Sequence, residues 1–348
     1  MTWKGLLESR GALVANVLAL LVLAAVVLAQ AYPSTEAARL RNALLLRHSS
    51  AADFTWTPDR VPAGFRGETR APSASFVDIA RKLQLAALPS DWDRARAIGA
   101  HLTSNSTDGG AVQRDLDATY HAIVDNGRGY CVDFTTVFMG IAHAAGVPVR
   151  QWAFSFDGFG GDGHAFVEVY DRQRGKWLFL DVFNNFYATD RATGEPLSAL
   201  EFRDALRGAR RPAAMVPIGP GRQGFVIEQK AWDYYARGLP EWYLWFGNDV
   251  FSYDEQPLLR ALGHVSRSLQ QGAALLMGAY PTIRVIESDA NAPQVHRLAR
   301  LRAVLLAAAV VYVALLVLLV LQVRARLRAS PTPSAGARID APHVSRVP

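Results

Sequence analysis

The stretch Gly127-Arg128-Gly129-Tyr130-Cys131-Val132-Asp133-Phe134 holds the only cysteine of the chain. Gly127-Arg128-Gly129 interrupts regular structure. Beyond it Val132, Phe134, Val137, Phe138, Ile141 and Ala144 recur at helical spacing, and Gly146-Val147-Pro148 ends the run. Cys131 therefore falls at or just before a helix N-terminus, where unpaired backbone N–H groups and the positive dipole end favour thiolate. A thiol is a weak nucleophile until a base takes its proton, and the base needs an orienting partner. The bland alternative is an inert cysteine buried at the end of a core helix.

Working outward, the next informative stretches are Gly163-His164-Ala165-Phe166-Val167-Glu168 and Trp177-Leu178-Phe179-Leu180-Asp181. Both alternate like strands, and Asp171-Arg172-Gln173-Arg174-Gly175 between them reads as a turn. A turn centred between Arg172 and Gln173 pairs Glu168 with Trp177, Phe166 with Phe179 and His164 with Asp181. Directly opposed residues share a face of the sheet and bring their side chains together. Ala165, Val167, Val169, Leu178 and Leu180 fall on the opposite face as a core surface. A one-residue slip would separate His164 from Asp181 and expose that surface. The apolar pattern alone thus delivers an imidazole–carboxylate pair downstream of a helix-capping thiol; a structural salt bridge at the sheet end is the alternative.

These residues resemble the transglutaminase-like superfamily, whose fold is related to papain-like cysteine proteases. The likeness runs over residues 91–190. Gly129-Tyr130-Cys131-Val132-Asp133-Phe134 is similar to the nucleophile motif, and Ala145-Gly146-Val147-Pro148-Val149-Arg150 to the turn and strand after its helix. Gly163-His164 through Glu168-Val169-Tyr170, with Trp177 and Asp181, is similar to the histidine and aspartate segments. The resemblance implies Cys131 as nucleophile, His164 as general base and then acid, and Asp181 as orienter. It implies attack on a carboxamide or peptide carbonyl, a thioester acyl-enzyme, and release to an amine or to water. The Cys131 backbone N–H is one oxyanion donor; Asn126, in Asp125-Asn126-Gly127, reads as a turn former. Two positions depart from the family pattern: Val132 and Phe166 stand where members often carry Trp, which bears on the acyl-acceptor tunnel and the substrate.

Uncharged apolar runs at 11–29 and 303–323 are each long enough for a membrane helix of about 20 residues. Ala29-Gln30-Ala31 resembles a signal-peptide cleavage site, but the apolar stretch exceeds the usual core of about 7–15 residues, which favours an uncleaved anchor. The formal charge of +6 divides unevenly. Residues 1–32 carry +1 and residues 297–348 carry +7, leaving −2 for the middle. A slightly acidic globular part gives nucleic-acid binding no support. Arg324, Arg326 and Arg328 suggest a cytoplasmic C-terminus, and Lys4 with Arg10 puts the N-terminus on the same side. Arg297, Arg300 and Arg302 run against that bias. The expectation is a two-pass plasma-membrane protein with its central domain in a bacterial periplasm. A lone thiol in an oxidising compartment is a liability unless it has work.

The organisation expected is an N-tail at 1–10, a first span at 11–32, a helical and loop extension at 33–90, and a catalytic core at 91–190. An elaboration at 191–296, a second span at 302–323 and a basic, disordered tail at 324–348 follow. Helices are expected at 35–48, 75–88, 90–102, 111–124, 197–206 and 257–277. Strands are expected at 149–156, 164–170, 176–181 and 224–228. The class is α+β, with helices first and an antiparallel sheet after them.

Other signals carry less. Gly158-Phe159-Gly160-Gly161-Asp162-Gly163 satisfies a dinucleotide fingerprint but leads into a strand rather than a helix, so it reads as a mobile loop before His164. Asp157 and Asp162 there do not make a calcium site, and His101, His121, His143 and His264 lack second ligands at metal spacing. No cofactor or metal is expected. Trp232-Asp233-Tyr234-Tyr235 and Trp242-Tyr243-Leu244-Trp245-Phe246 read as core or interface packing, or as a stacking platform for sugars or an acyl acceptor. Three functions compete: a membrane-anchored acyltransferase, a protease or amidase with the same triad, and a non-catalytic scaffold in an envelope or polysaccharide-assembly complex. The partners expected are a protein, peptide or envelope-polymer substrate, the lipid bilayer, and envelope-complex proteins.

Overall fold

The computed structural model describes residues 7–329 apart from 8, 32, 33, 108, 113, 209–211 and 266. It divides into two units, one from Ala31–Ala303 and one from the described parts of Met1–Gln30 and Val304–Pro348.

The smaller unit holds α1 (Arg10–Ala31) and most of α12 (Ala292–Ala329). Both are long and apolar enough to cross a membrane, and side chains such as Leu18, Leu21, Val310 and Val317 stay exposed, unlike those of a soluble core helix. One polar contact joins them: the Asn16 amide donates to Leu315 O at 3.1 Å and Gln322 Oε1 at 3.0 Å. Where neighbours are apolar, such a contact fixes helix pairing. The helix also runs on through Arg324–Ala329 rather than stopping at 323, which corrects the expected start of a disordered tail; residues 330–348 lie outside the described residues, as does most of the N-tail.

In the larger unit, residues 33–90, 91–190 and 191–296 all enter one fold. Its helices and strands are α2 (Ser34–Leu45), β1 (Leu46–Arg47), α3 (Ala74–Lys82), α4 (Asp91–Thr103), α5 (Leu116–Val124), α6 (Cys131–Ala144), β2 (Val149–Ser155), β3 (Gly163–Asp171) and β4 (Lys176–Leu180). After them come β5 (Phe186–Asp190), α7 (Ala199–Leu206), β6 (Ala213–Pro217), α8 (Glu228–Gly238), β7 (Trp242–Trp245), α9 (Val250–Asp254), α10 (Pro257–Val265), α11 (Arg267–Leu276) and β8 (Ile283–Val285). Six strands form the main sheet in the order β1-β8-β7-β2-β3-β4, antiparallel except for the parallel β1–β8 pair; β5 and β6 make a separate two-stranded antiparallel sheet.

The sheet is covered on both faces. Phe134, Val137, Phe138 and Ile141 of α6 pack on Val167, Val169, Leu178 and Leu180, as the alternation requires. The other face carries a dense aromatic core that includes Trp152, Phe154, Phe166, Phe179, Phe202, Tyr235 and Trp242. It also buries an ion pair: Arg150 Nε donates to Glu168 Oε2 at 2.7 Å, beneath the ring of Trp177, whose centroid is 4.2 Å from the guanidinium carbon. Glu168 further accepts from the Trp152 indole and, at 2.7 Å, from Ala199 N at the start of α7. Arg150 Nη2 donates to Phe54 O at 2.9 Å, while Nη1 is buried without an acceptor among the described residues, so the carboxylate is better satisfied than the guanidinium.

Several expected boundaries move for local reasons. Asp115 caps α5 by accepting from Ala118 N at 2.8 Å, so that helix starts at Leu116 rather than 111. Gln84 at φ 54 ends the helix expected to reach 88, and a 3-10 turn follows. The helix expected over 257–277 is two helices, with Gly263 of α10 lying close against the Gln270 side chain of α11. Residues 224–228 form no strand: Gly224 approaches Asn184 so closely that a Cβ would sit 2.0 Å from its Oδ1. The strand character lies instead in the aromatic run Trp242–Trp245, which enters the sheet beside β2.

Candidate active site

Cys131 is the first residue of α6. Its N–H has no acceptor one turn back, because none precedes a helix's first residue. The Asp133 carboxylate closes the helix start by accepting from Tyr130 N at 2.8 Å. Gly127 in the approach has φ 66, and a Cβ there would lie 2.3 Å from Asn105 O, so only glycine admits this turn. Asn126 beside it is exposed, in keeping with a turn role. Cys131 itself is partly exposed.

His164 and Asp181 come together, though through a register other than the one expected. Glu168 pairs with Phe179, Val169 with Leu178 and Tyr170 with Trp177, two residues away from the sequence-based pairing. The turn is therefore centred one residue later than expected. A two-residue shift preserves parity, so both side chains remain on one face. The β3–β4 ladder starts at Val167–Leu180, leaving His164 beyond it, and Asp181 turns away to bridge to Phe186. There His164 Nε2 donates to Asp181 Oδ2 at 2.8 Å. With Nε2 so engaged, Nδ1 is the ring nitrogen left for the Cys131 sulfur, which lies near enough to act on the charge of the ring.

Two further residues, not found from sequence, complete the surroundings of Asp181. Asn184 donates through its backbone N–H to Oδ1 at 3.1 Å and through its amide to Oδ2 at 2.7 Å. The Tyr235 hydroxyl, from α8, donates to Oδ2. The Asn184 spacing is an Asx-type turn signal that sequence could have offered; Tyr235 lies 54 residues away and had no local signal. Phe154, Phe183, Tyr234 and Tyr235 surround the imidazole at centroid distances of 5.7 to 6.1 Å.

The electrostatics follow from this enclosure. Burial would push the His164 ring down, but the Asp181 carboxylate and the Cys131 sulfur outweigh it and hold the ring up to about 10. Burial would raise Asp181, yet His164 and the donors from Tyr235 and Asn184 keep it below the usual carboxylate range. Burial, followed by the Asp181 charge, drives Tyr235 well upward, so its hydroxyl stays a donor.

A cleft of ≈ 310 Å³ opens along the first turns of α6, lined by Val132, Asp133, Thr136 and Gln151 together with Arg41 and Tyr280; Cys131, His164 and Asp181 are not among its lining residues. The Gly158–Gly163 loop, expected to be mobile, is pinned. Glu241 accepts from Phe159 N at 2.8 Å and from Gly158 N at 2.9 Å, while Asn42 donates to Phe159 O at 2.9 Å. Phe159 is fully buried, so the loop is anchored rather than mobile. Among the described residues no cluster of metal-ligating side chains occurs. Trp242 and Leu244 are buried core, while Tyr234 flanks the His164 ring, so the aromatic segments divide between packing and site wall.

Residues 77–182 match the family model of the transglutaminase-like superfamily, a span that starts at α3, earlier than the 91 expected, and ends just past Asp181. The chain carries a transglutaminase-like domain over that span. Among solved structures, a Cytophaga hutchinsonii protein proposed to be a cysteine protease is similar at 14% identity and a TM-score of 0.27. That likeness covers 47% of this chain and spans about half, 53%, of that protein. No curated protein matches the chain. The family match over this span supports a protein of the cysteine-enzyme kind.

Proposed function

We propose that the protein is a membrane-anchored cysteine enzyme that acts on a carboxamide or peptide carbonyl through a thioester acyl-enzyme. The observation that carries this is the buried His164 Nε2–Asp181 Oδ2 pair with Cys131, a partly exposed residue at a helix start, close enough to act on the ring.

In this reading Cys131, with its proton on His164, attacks the carbonyl carbon and forms a C–S bond. The tetrahedral oxyanion is met by the Cys131 N–H, and Gln151 in the cleft offers an amide of the right chemistry for a second donor. His164 then returns its proton to the departing nitrogen, the C–N bond breaks, and ammonia or an amine leaves. An incoming amine or water gives its proton to His164, attacks the thioester and releases the thiolate. Asp181, held by Asn184 and Tyr235, keeps the ring in the tautomer this sequence needs. The apolar spans of α1 and α12 support membrane anchoring, and the basic residues after the second span support a periplasmic site.

Hydrolysis is the second reading, favoured by one observation. Val132, where family members often carry Trp, is 50% exposed and shields the helix start from water less than an indole would. The test is incubation of the protein with a glutamine-containing peptide and a tagged primary amine. Tagged product supports transfer and free acid alone supports hydrolysis. Neither, together with Cys131 labelling by iodoacetamide no faster than free cysteine, ends the enzymatic reading.

A further inference from the structure

Arg297, Arg300 and Arg302 stand on the domain side of the second apolar run, against the usual charge bias. The structure adds two more arginines to this problem. In the parallel β1–β8 pair, Arg47 lies directly across the ladder from Arg284. Like charges in that position are destabilising. Burial, and then the charges of Arg302 and Arg284, lower Arg47 from its ordinary value, so the third guanidinium is near as well.

Counter-charge is scarce. Asp53 is 3.9 Å from Arg284 Nε and is already held by Ser50 N at 2.8 Å. Glu287 faces His48 at 3.7 Å. Backbone carbonyls take one nitrogen each of Arg47 and Arg284, at Leu44, Leu46 and His48. The Nε atoms of Arg284 and Arg302 are buried without an acceptor among the described residues. Buried donors without acceptors cost stability, and a cluster of them sharing one sign of charge calls for an anion.

We propose that Arg47, Arg284 and Arg302 form a site for a phosphate-bearing group, supplied by the headgroup of an anionic phospholipid. The lipid source follows from position: Arg302 is the last charged residue before the uninterrupted apolar run 303–323, so it marks where headgroup phosphates lie. This rests on the anchored reading of α12 and is independent of the chemistry at Cys131.

The test uses the full chain in a neutral detergent, with phosphatidylglycerol, phosphatidylcholine or inorganic phosphate added, read by native mass spectrometry and thermal unfolding. Phosphatidylglycerol should remain bound and raise the Tm, and phosphatidylcholine should do neither. Retention should fall about fivefold for each arginine removed in Arg47→Gln and Arg302→Gln, and stay unchanged in Arg60→Gln. Without lipid, Arg47→Gln should be at least as stable as the parent, because it relieves repulsion with Arg284; this also shows that the variant folds. Equal retention of both lipids, or undiminished retention by the variants, overturns the site. Stabilisation by inorganic phosphate equal to that by phosphatidylglycerol overturns the lipid source. A chain that fractionates as soluble without detergent overturns the anchored reading and the lipid source together, leaving Cys131 reactivity untouched.

Discussion

Asp181→Asn changes one atom's chemistry in a buried site with four donors aimed at it. Oδ1 can still accept from Asn184 N, but an amide NH2 in place of Oδ2 would confront the Asn184 amide, the Tyr235 hydroxyl and His164 Nε2. The tyrosine can rotate its proton away. His164 can make a bond only by presenting a bare Nε2, which moves its proton to Nδ1, the nitrogen facing Cys131. The ring then has no lone pair for the sulfur's proton. It also loses the carboxylate that opposes burial, so the ring that sits at about 10 falls back toward or below the ordinary histidine range. Wrong-tautomer substitutions of this kind in triad enzymes cost about 10⁴-fold in turnover. We expect a loss of about 10³–10⁴-fold in amine incorporation, with fold retained by circular dichroism. The substrate-independent assay is iodoacetamide alkylation of Cys131 across pH 5–9. Alkylation of the parent should outpace that of the variant across this range. Superimposable alkylation profiles for parent and variant would refute the tautomer argument.

Three further expectations follow from the same geometry. His164 is raised in the folded chain, so its contribution to stability is complete below about pH 6.5 and is lost as pH climbs toward about 10; Tm against pH should slope downward over that window in the parent and flatten in Asp181→Asn. Tyr235→Phe removes a hydrogen bond to a charged acceptor, worth about 1.5–3 kcal/mol, and should slow Cys131 alkylation by about tenfold while shifting its pH profile; an unchanged profile would confine Tyr235 to packing. Glu168→Gln leaves Arg150 buried without its partner and should cost about 3–5 kcal/mol in urea unfolding, whereas a loss under 1 kcal/mol would mean that the ring stack around the guanidinium suffices.

What sequence could reveal was whatever repeats locally. The α6 periodicity placed Cys131 at a helix start, and the two-residue alternation of β3 and β4 put His164 and Asp181 on one side. The ladder itself was misplaced by two residues, because the turn around Arg172 and Gln173 gives no sharp register signal and alternation fixes only parity. Tyr235 was invisible because nothing near Asp181 in sequence demands a hydroxyl from α8. Strands β1 and β8 have two and three residues, too short for any period to show. The Gly158–Gly163 loop read as mobile from its glycines, and only Glu241, brought from the far side of α8, reveals that its amides are tied down.

The strand order limits how this protein can be divided. Strand β7 hydrogen-bonds along β2, and the Asp181 support reaches in from α8, yet both lie beyond residue 182, where the family match stops. A clone trimmed to that match would strip one long edge of β2 of its partner and invite self-association. It would also leave Asp181 short of a donor. The minimal working piece of this polypeptide is therefore set by a neighbouring strand and a distant phenol, and excision at the motif's own borders should yield an insoluble product.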